Sequence, residues 1–174
     1  MSSLLTNTVR TAIGLILISG ASNSCVSIDI SKTNQVRDSN IKFHAPDKPY
    51  QVAPLSSVDG AWRNTDTGDS ISYISECDGS TDPSLESIHK GILQGIENLK
   101  IVSSEYKKYN SRQALFTTVN GELDGIGTQM QFVIFKKNQC IYVLTNISYM
   151  KNKNPNGATS SRDFQMFLEK FEVP

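Results

Sequence analysis

The chain has 174 residues, with 17 basic and 17 acidic side chains, two histidines and three cysteines. Zero net charge without a long basic run excludes the electrostatic footprint of a nucleic-acid binder, or of a protein held to an anionic membrane by charge alone. Two histidines leave little material for acid–base or metal chemistry.

Residues 1–24 read as an export signal. Arg10 is the only charge in the first ten residues, the apolar run Ala12–Ile18 follows, and the small polar stretch Ser19–Ser24 leads to Cys25. The apolar run is too short for a membrane span, which needs about 20 apolar residues. Two cuts are open. Cleavage before Cys25 leaves that residue free to carry a lipid, and cleavage after Ala21 leaves it an exported thiol. Without residues 1–24 the chain keeps 150 residues, enough for one domain with a core of its own.

The cysteine count fits this reading. If Cys25 is lipidated, Cys77 and Cys140 remain as a pair in a compartment where disulfides persist. A disulfide between them is the expectation, and two separate buried thiols are the alternative. No CxxC occurs, so neither a redox motif nor a zinc site is indicated.

Residues 25–40 are mostly polar and read as a tether, with the domain running from residue 41 to 174. It opens with the alternating segment Ile41–Ala45, stopped by Pro46, and Tyr50–Ala53 forms a short extended piece. A hairpin follows: Ala61–Asn64, the turn-rich stretch 65–69, and Ser70–Cys77, with Ile71, Tyr73 and Ser75 on one side and Ser70, Ser72 and Ile74 on the other. Asp82 as N-cap and Pro83 in the first turn then start a helix. Its apolar stripe is Leu85, Ile88, Ile92, Ile96 and Leu99. The spacing of Gly91 and Gly95 suggests a helix face pressed against a neighbour.

Strands fill the next stretch. Lys100–Tyr109 and Gln113–Val119 lead to Asn120-Gly121, the strongest short hairpin signal in the chain. Glu122–Phe135 returns, with Gly125 and Gly127 as bulge or close-approach positions. Asn138 marks another tight turn before Cys140–Tyr149. Phe132–Phe135 and Ile141–Leu144 lack polar alternation, which implies that both faces of the sheet centre are covered. After a polar loop at 151–157, Ser160 with Asp163 resembles a capping box, and Phe164, Phe167, Leu168 and Phe171 give a closing helix one apolar face.

No catalytic constellation emerges. HExxH, GxSxG, P-loop and dinucleotide fingerprints are absent from the sequence. His44 and His89 read as surface or boundary residues, and a nucleophile–base pair of Cys77 with His89 would be lost to the disulfide. The acidic stretches Asp66–Asp69 and Glu122–Gly125 lack EF-hand spacing and read as turns. Trp62, Tyr73, Tyr142 and Tyr149 are candidates for lining a groove. Arg63 and Arg112 are candidates for facing a partner, with Arg112 equally a charged guard on a sheet edge. No catalytic residue, metal site or cofactor is expected. Lys107-Lys108 and Lys136-Lys137 read as solvated turn or strand-edge residues.

The strand Ile41–Pro46, the Trp62–Tyr73 hairpin, the single mid-chain helix, the antiparallel meander and the ending Asp163-Phe164-x-x-Phe167-Leu168 together resemble small exported bacterial proteins with a PsbP-like domain. The Mog-type Ran-binding protein shares that fold. The likeness spans residues 41–172 and lies in element order. It implies an α+β fold, an antiparallel sheet of about six strands covered by helices in an α/β/α sandwich. It also implies a frequent lipoprotein context and no common enzymatic activity. Photosystem members bind a metal-cluster-bearing complex and Mog-type members a GTPase, and neither partner transfers with the fold. By resemblance to enterobacterial sorting, Val26 after the lipid-bearing cysteine favours the outer membrane. The expectation is an exported module, periplasmic or membrane-tethered, that binds an envelope protein or ligand, with a small periplasmic hydrolase or ligand-processing enzyme using an unrecognised site around His44 or His89 as the alternative.

Overall fold

The computed structural model describes residues 36–77, 82–150 and 157–174. The expected signal, Cys25 and most of the expected tether lie outside them, as do residues 78–81 and 151–156. Residues 34–174 form one compact unit.

Three short strands come first: β1 (Tyr50–Val52), β2 (Gly60–Asn64) and β3 (Ser70–Glu76). Helix α1 (Leu85–Leu93) follows, then β4 (Glu97–Tyr109), β5 (Arg112–Leu123), β6 (Ile126–Lys137) and β7 (Cys140–Tyr149), and α2 (Gly157–Glu169) closes the chain. All seven strands form one antiparallel sheet in the order β1-β2-β3-β7-β6-β5-β4. Two meanders, β1–β3 and β4–β7, therefore meet at a single seam, where β3 pairs with β7 from Ser70↔Ile147 to Glu76↔Ile141.

The two helices cover opposite faces, because alternate residues of the central strands point opposite ways. Phe164, Phe167, Leu168 and Phe171 pack with Trp62, Ile71, Tyr73, Val133, Phe135, Tyr142 and Leu144 on one side. Leu85, Ile88, Ile92 and Ile96 pack with Val119, Met130, Phe132, Ile134 and Val143 on the other. Unbroken apolar runs in β6 and β7 are what a sheet covered twice requires. Each large apolar side chain buried this way stabilises by about 1.5–3 kcal/mol.

Several local expectations change. Asn120-Gly121 is not a turn: β5 runs straight through it, and the reversal comes at Asp124-Gly125, both at positive φ (51° and 72°). Asn110-Ser111 and Asn138-Gln139 make the same two-residue turn, with φ of 49° and 63°, and 52° and 63°. Gly121 is needed for a different reason. A Cβ there would sit 2.3 Å from Ile96 Cγ2 and 2.9 Å from the Glu97 carbonyl oxygen, because the α1–β4 link crosses directly over it.

Helix α1 is capped by Ser84, whose hydroxyl accepts from Ser87 N at 3.2 Å, and Asp82 instead pairs with Lys136. The helix stops at Leu93, so Ile96 still reaches the core while Leu99 lies exposed on β4. Nothing lies within 4 Å of a Cβ built at Gly91 or Gly95, so no neighbour presses on that face. Ser160 falls inside α2 and is no cap. Ile41–Ala45 is not a strand of the sheet: Lys42 makes one isolated bridge to Glu172, and Phe43 packs edge-on against Trp62 with ring centroids 5.5 Å apart.

Candidate functional site

The seam between the meanders joins strand pairing to a disulfide and a cluster of side-chain hydrogen bonds. Cys77 and Cys140 continue the β3–β7 register by one step and form a disulfide across it, closing a sequence separation of 63 residues. Next to it, Asp59 Oδ2 accepts from both Ser75 N and Ser75 Oγ at 2.6 Å, and Arg37 bridges Asp59 Oδ1 and the Ser75 carbonyl. Asp38 accepts from the Tyr142 hydroxyl at 2.7 Å, and its own N–H donates to Ser75 Oγ at 2.9 Å. Arg37 and Asp38, in the stretch read as a tether, thus bond to the sheet. This cluster is structural in character: its polar groups satisfy one another.

A surface groove flanks α2 on its β4 side. That helix covers β1–β3, β7 and part of β6, leaving the β4–β5 end of the same face open. This groove, of about 550 Å³, lies between the flank of α2 and β4. Phe116, Val133 and Leu168 form its floor, while Glu105 and Lys107 on β4 face Arg162 and Gln165 on the helix. Lys107 Nζ stands 5.4 Å above the Phe116 ring, a cation–π contact. Past Phe116 and Leu168 the hollow continues to Tyr109 and the C-terminal residues. Tyr109 donates to the Leu168 carbonyl at 2.7 Å, and Asn110 bonds both the Phe171 carbonyl (3.0 Å) and Val173 N (2.8 Å), pinning the tail beside the groove.

A buried polar chain leads from the α2–sheet interface to the groove wall. Ser148 Oγ donates to Ser160 Oγ (2.7 Å), which donates to Asn146 Oδ1 (3.1 Å). Asn146 Nδ2 donates to Gln131 Oε1 (3.0 Å), and Gln131 Nε2 to Ser161 Oγ (3.2 Å). The Tyr50 hydroxyl is buried near Ser160 without a hydrogen bond of good geometry, and burial pushes its pKa up to about 12. Asp163, one helical turn on, has its pKa raised by desolvation, with Asp47 and Asp69 adding to the effect and Arg162 and Tyr50 opposing it.

The histidines do not converge. His44 is exposed, with Nε2 3.7 Å from Asp47 Oδ1, in a shallow hollow beside Asp163 and Lys170 on the α2 side. His89 lies on α1, across the sheet; its Nε2 is buried without a partner, and burial lowers its pKa. Trp62, Tyr73 and Tyr142 are buried in the α2-side core, because the Phe-rich helix covers them, so they line no groove. Tyr149 flanks the Gly68 turn instead. The acidic turn is held by its own chemistry: Asn64 Oδ1 accepts from the N–H groups of Asp66 and Thr67, and Asp69 Oδ1 accepts from Tyr149 N. Arg112 guards no edge, since β4 pairs with β5 along its length. Arg63 borders a shallow trough with Gln51 and Asp66. Among the described residues no three His, Cys, Asp or Glu side chains gather as metal ligands, and no helix is long and apolar enough to cross a membrane. The groove was missed from sequence because it depends on where α2 stops across the sheet, which no local pattern encodes.

No protein-family model and no curated protein sequence matches this chain. Solved structures do. LpqN of Mycobacterium tuberculosis, described as involved in cell envelope biogenesis, is 13% identical with a TM-score of 0.53, covering 77% of this chain and 83% of its own. The cyanobacterial PsbP protein, CyanoP, of Synechocystis sp. PCC 6803 is 11% identical with a TM-score of 0.53, covering 80% of this chain and 91% of its own. The architecture is a PsbP-like α+β domain, with a seven-stranded sheet where about six strands were expected. At such identities the likeness extends to the fold and not to the work done on it.

Proposed function

We propose that the protein is exported and tethered to the periplasmic face of the outer membrane by a lipid on Cys25, where it acts as a non-enzymatic module binding another envelope protein. The observation that carries this reading is the Cys77–Cys140 disulfide across the seam, because such bonds persist in oxidising compartments outside the cytoplasm. The signal-like residues 1–24 support it independently. For binding, the groove beside α2 offers an apolar floor between polar rims, the make-up of a recognition surface. The involvement of LpqN in cell envelope biogenesis is compatible with this and is that protein's own.

Site-specific photo-crosslinking in cells tests the binding role. A photoreactive residue at Gln165, on the groove wall, is expected to give a discrete adduct with an envelope protein, and one at Ser72, on the opposite face of the sheet, none. Equal labelling from both positions, or none from Gln165, would contradict the reading.

A further inference from the structure

Strand β4 spans 13 residues at the edge of the sheet, and every residue from Glu97 to Lys108 is exposed. An edge of this kind presents unpaired backbone donors and acceptors, and proteins usually guard it with charge or irregularity. Here the guards are unevenly placed. Register breaks lie in the first half, between Glu97 and Lys100 and between Ile101 and Ser103. From Ser103 to Tyr109 the ladder with β5 is unbroken.

The direction of the free backbone groups follows from the turn. Asn110-Ser111 is a two-residue turn closing on Tyr109↔Arg112, and in such hairpins the closing pair exchanges both backbone hydrogen bonds. Tyr109, Lys107 and Glu105 therefore aim their N–H and C=O at β5. By alternation, Lys108, Tyr106 and Ser104 aim theirs at the open edge. The side chains alternate across the sheet. Glu105 and Lys107 stand together on the groove side, joined by an ion pair at 2.5 Å, while Tyr106 turns to the α1 side and bonds Glu86.

We propose that Ser103–Tyr109 pairs antiparallel with the same segment of a second copy of this chain, about a two-fold axis at Tyr106, joining two sheets edge to edge. The charges select that register. With the axis at Tyr106, Glu105 lies opposite Lys107 of the second copy, and Lys107 opposite its Glu105. This is the non-hydrogen-bonded position, where facing side chains approach most closely. Lys108 then meets Ser104. An axis at Glu105 would set Glu105 against Glu105, and axes at Lys107 or Lys108 would set lysine against lysine. Tyr106, whose backbone groups face outward, falls where a pair exchanges both hydrogen bonds. The charges that deter indiscriminate edge pairing thus become complementary in one self-pairing. The pairing does not depend on the binding role proposed above, although it would bring the grooves of two copies to the same side of one sheet.

A seven-residue pairing is smaller than a standard stable interface, so a reversible, concentration-dependent dimer is expected. Sedimentation velocity over the micromolar range tests this on the protein as cells accumulate it from the full-length gene. The wild-type chain should dimerise more tightly at low salt. Glu105→Lys and Lys107→Glu should each weaken the dimer on the order of tenfold, since each turns both cross-strand pairs repulsive. The double variant should regain most of the loss, because the swapped charges are again complementary. Circular dichroism checks that each variant is folded; if one is not, Glu105→Gln with Lys107→Gln should weaken the dimer and remove its salt dependence. A wild-type chain that stays monomeric throughout, or a double variant no tighter than the singles, would overturn the proposal.

Discussion

The crossing of the α1–β4 link over Gly121 gives a sharp stability prediction. In Gly121→Ala the new Cβ meets Ile96 Cγ2 at 2.3 Å and the Glu97 carbonyl oxygen at 2.9 Å. The Ile96 side chain can rotate away at the cost of its core contacts, but the carbonyl moves only if β4 shifts against β5. Overpacking of this kind costs about 1–3 kcal/mol, and a backbone obstacle places this site near the top of that range. For a domain of this size that is a fall in Tm of roughly 6–10 °C. Gly125→Ala is the control. Its φ of 72° strains an alanine, yet no atom lies within 4 Å of the added methyl, so about 1 kcal/mol and a few degrees are expected. Thermal unfolding followed by circular dichroism, with urea m-values to confirm an unchanged transition, measures both. If Gly121→Ala melted no lower than Gly125→Ala, the link would not cross β5 there, and Asn120-Gly121 would return as the turn.

Other consequences are separable. Closing 63 residues of chain with a disulfide removes roughly 4 kcal/mol of unfolded-state entropy, so Cys77→Ser with Cys140→Ser should cut stability in denaturant by about that much, and reduction of the wild type should do the same. Asn110→Gly keeps the positive φ but loses both bonds to the C-terminal tail; a loss of about 1–2 kcal/mol and faster amide exchange at Val173 should follow. Asp163 has a raised pKa in the fold, so its ionisation opposes folding: the folded state gains relative stability at acid pH and loses it as pH rises from the ordinary 3.8 through the raised value. Asp163→Asn should therefore be more stable than wild type at neutral pH, with the difference vanishing below pH 3.8 in urea titrations.

What the sequence made legible was what periodicity and local chemistry control. The apolar runs Phe132–Phe135 and Ile141–Leu144 foretold a sheet covered on both faces, the alternation of Ser70–Glu76 foretold its buried side, and leftover cysteines foretold a bond. The failures came where tertiary packing overrode a local signal. Asn120-Gly121 has turn chemistry, but Asp124-Gly125 has it too, and only the link lying over Gly121 decides between them. The stripe from Leu85 to Leu99 extends a helical period into β4, because Ile96 reaches the core from a non-helical link. Ile41–Ala45 alternates like a strand, yet it packs on the C-terminal tail and aromatic core instead of joining the sheet. The groove needed the whole arrangement: its rims come from β4 and α2, elements separated by some fifty residues.

Intact mass of the protein purified from envelope fractions, with a thiol-alkylating reagent applied before and after reduction, tests most directly whether it is an exported, oxidised module held by lipid. The expected chain starts at Cys25 and carries acyl mass, takes up no label before reduction and gains two labels, on Cys77 and Cys140, after it. A start after Ala21 without acyl mass would remove the anchor and leave export standing. A mass that retains residues 1–24, with Cys77 and Cys140 labelled before reduction, would refute export, anchor and disulfide together.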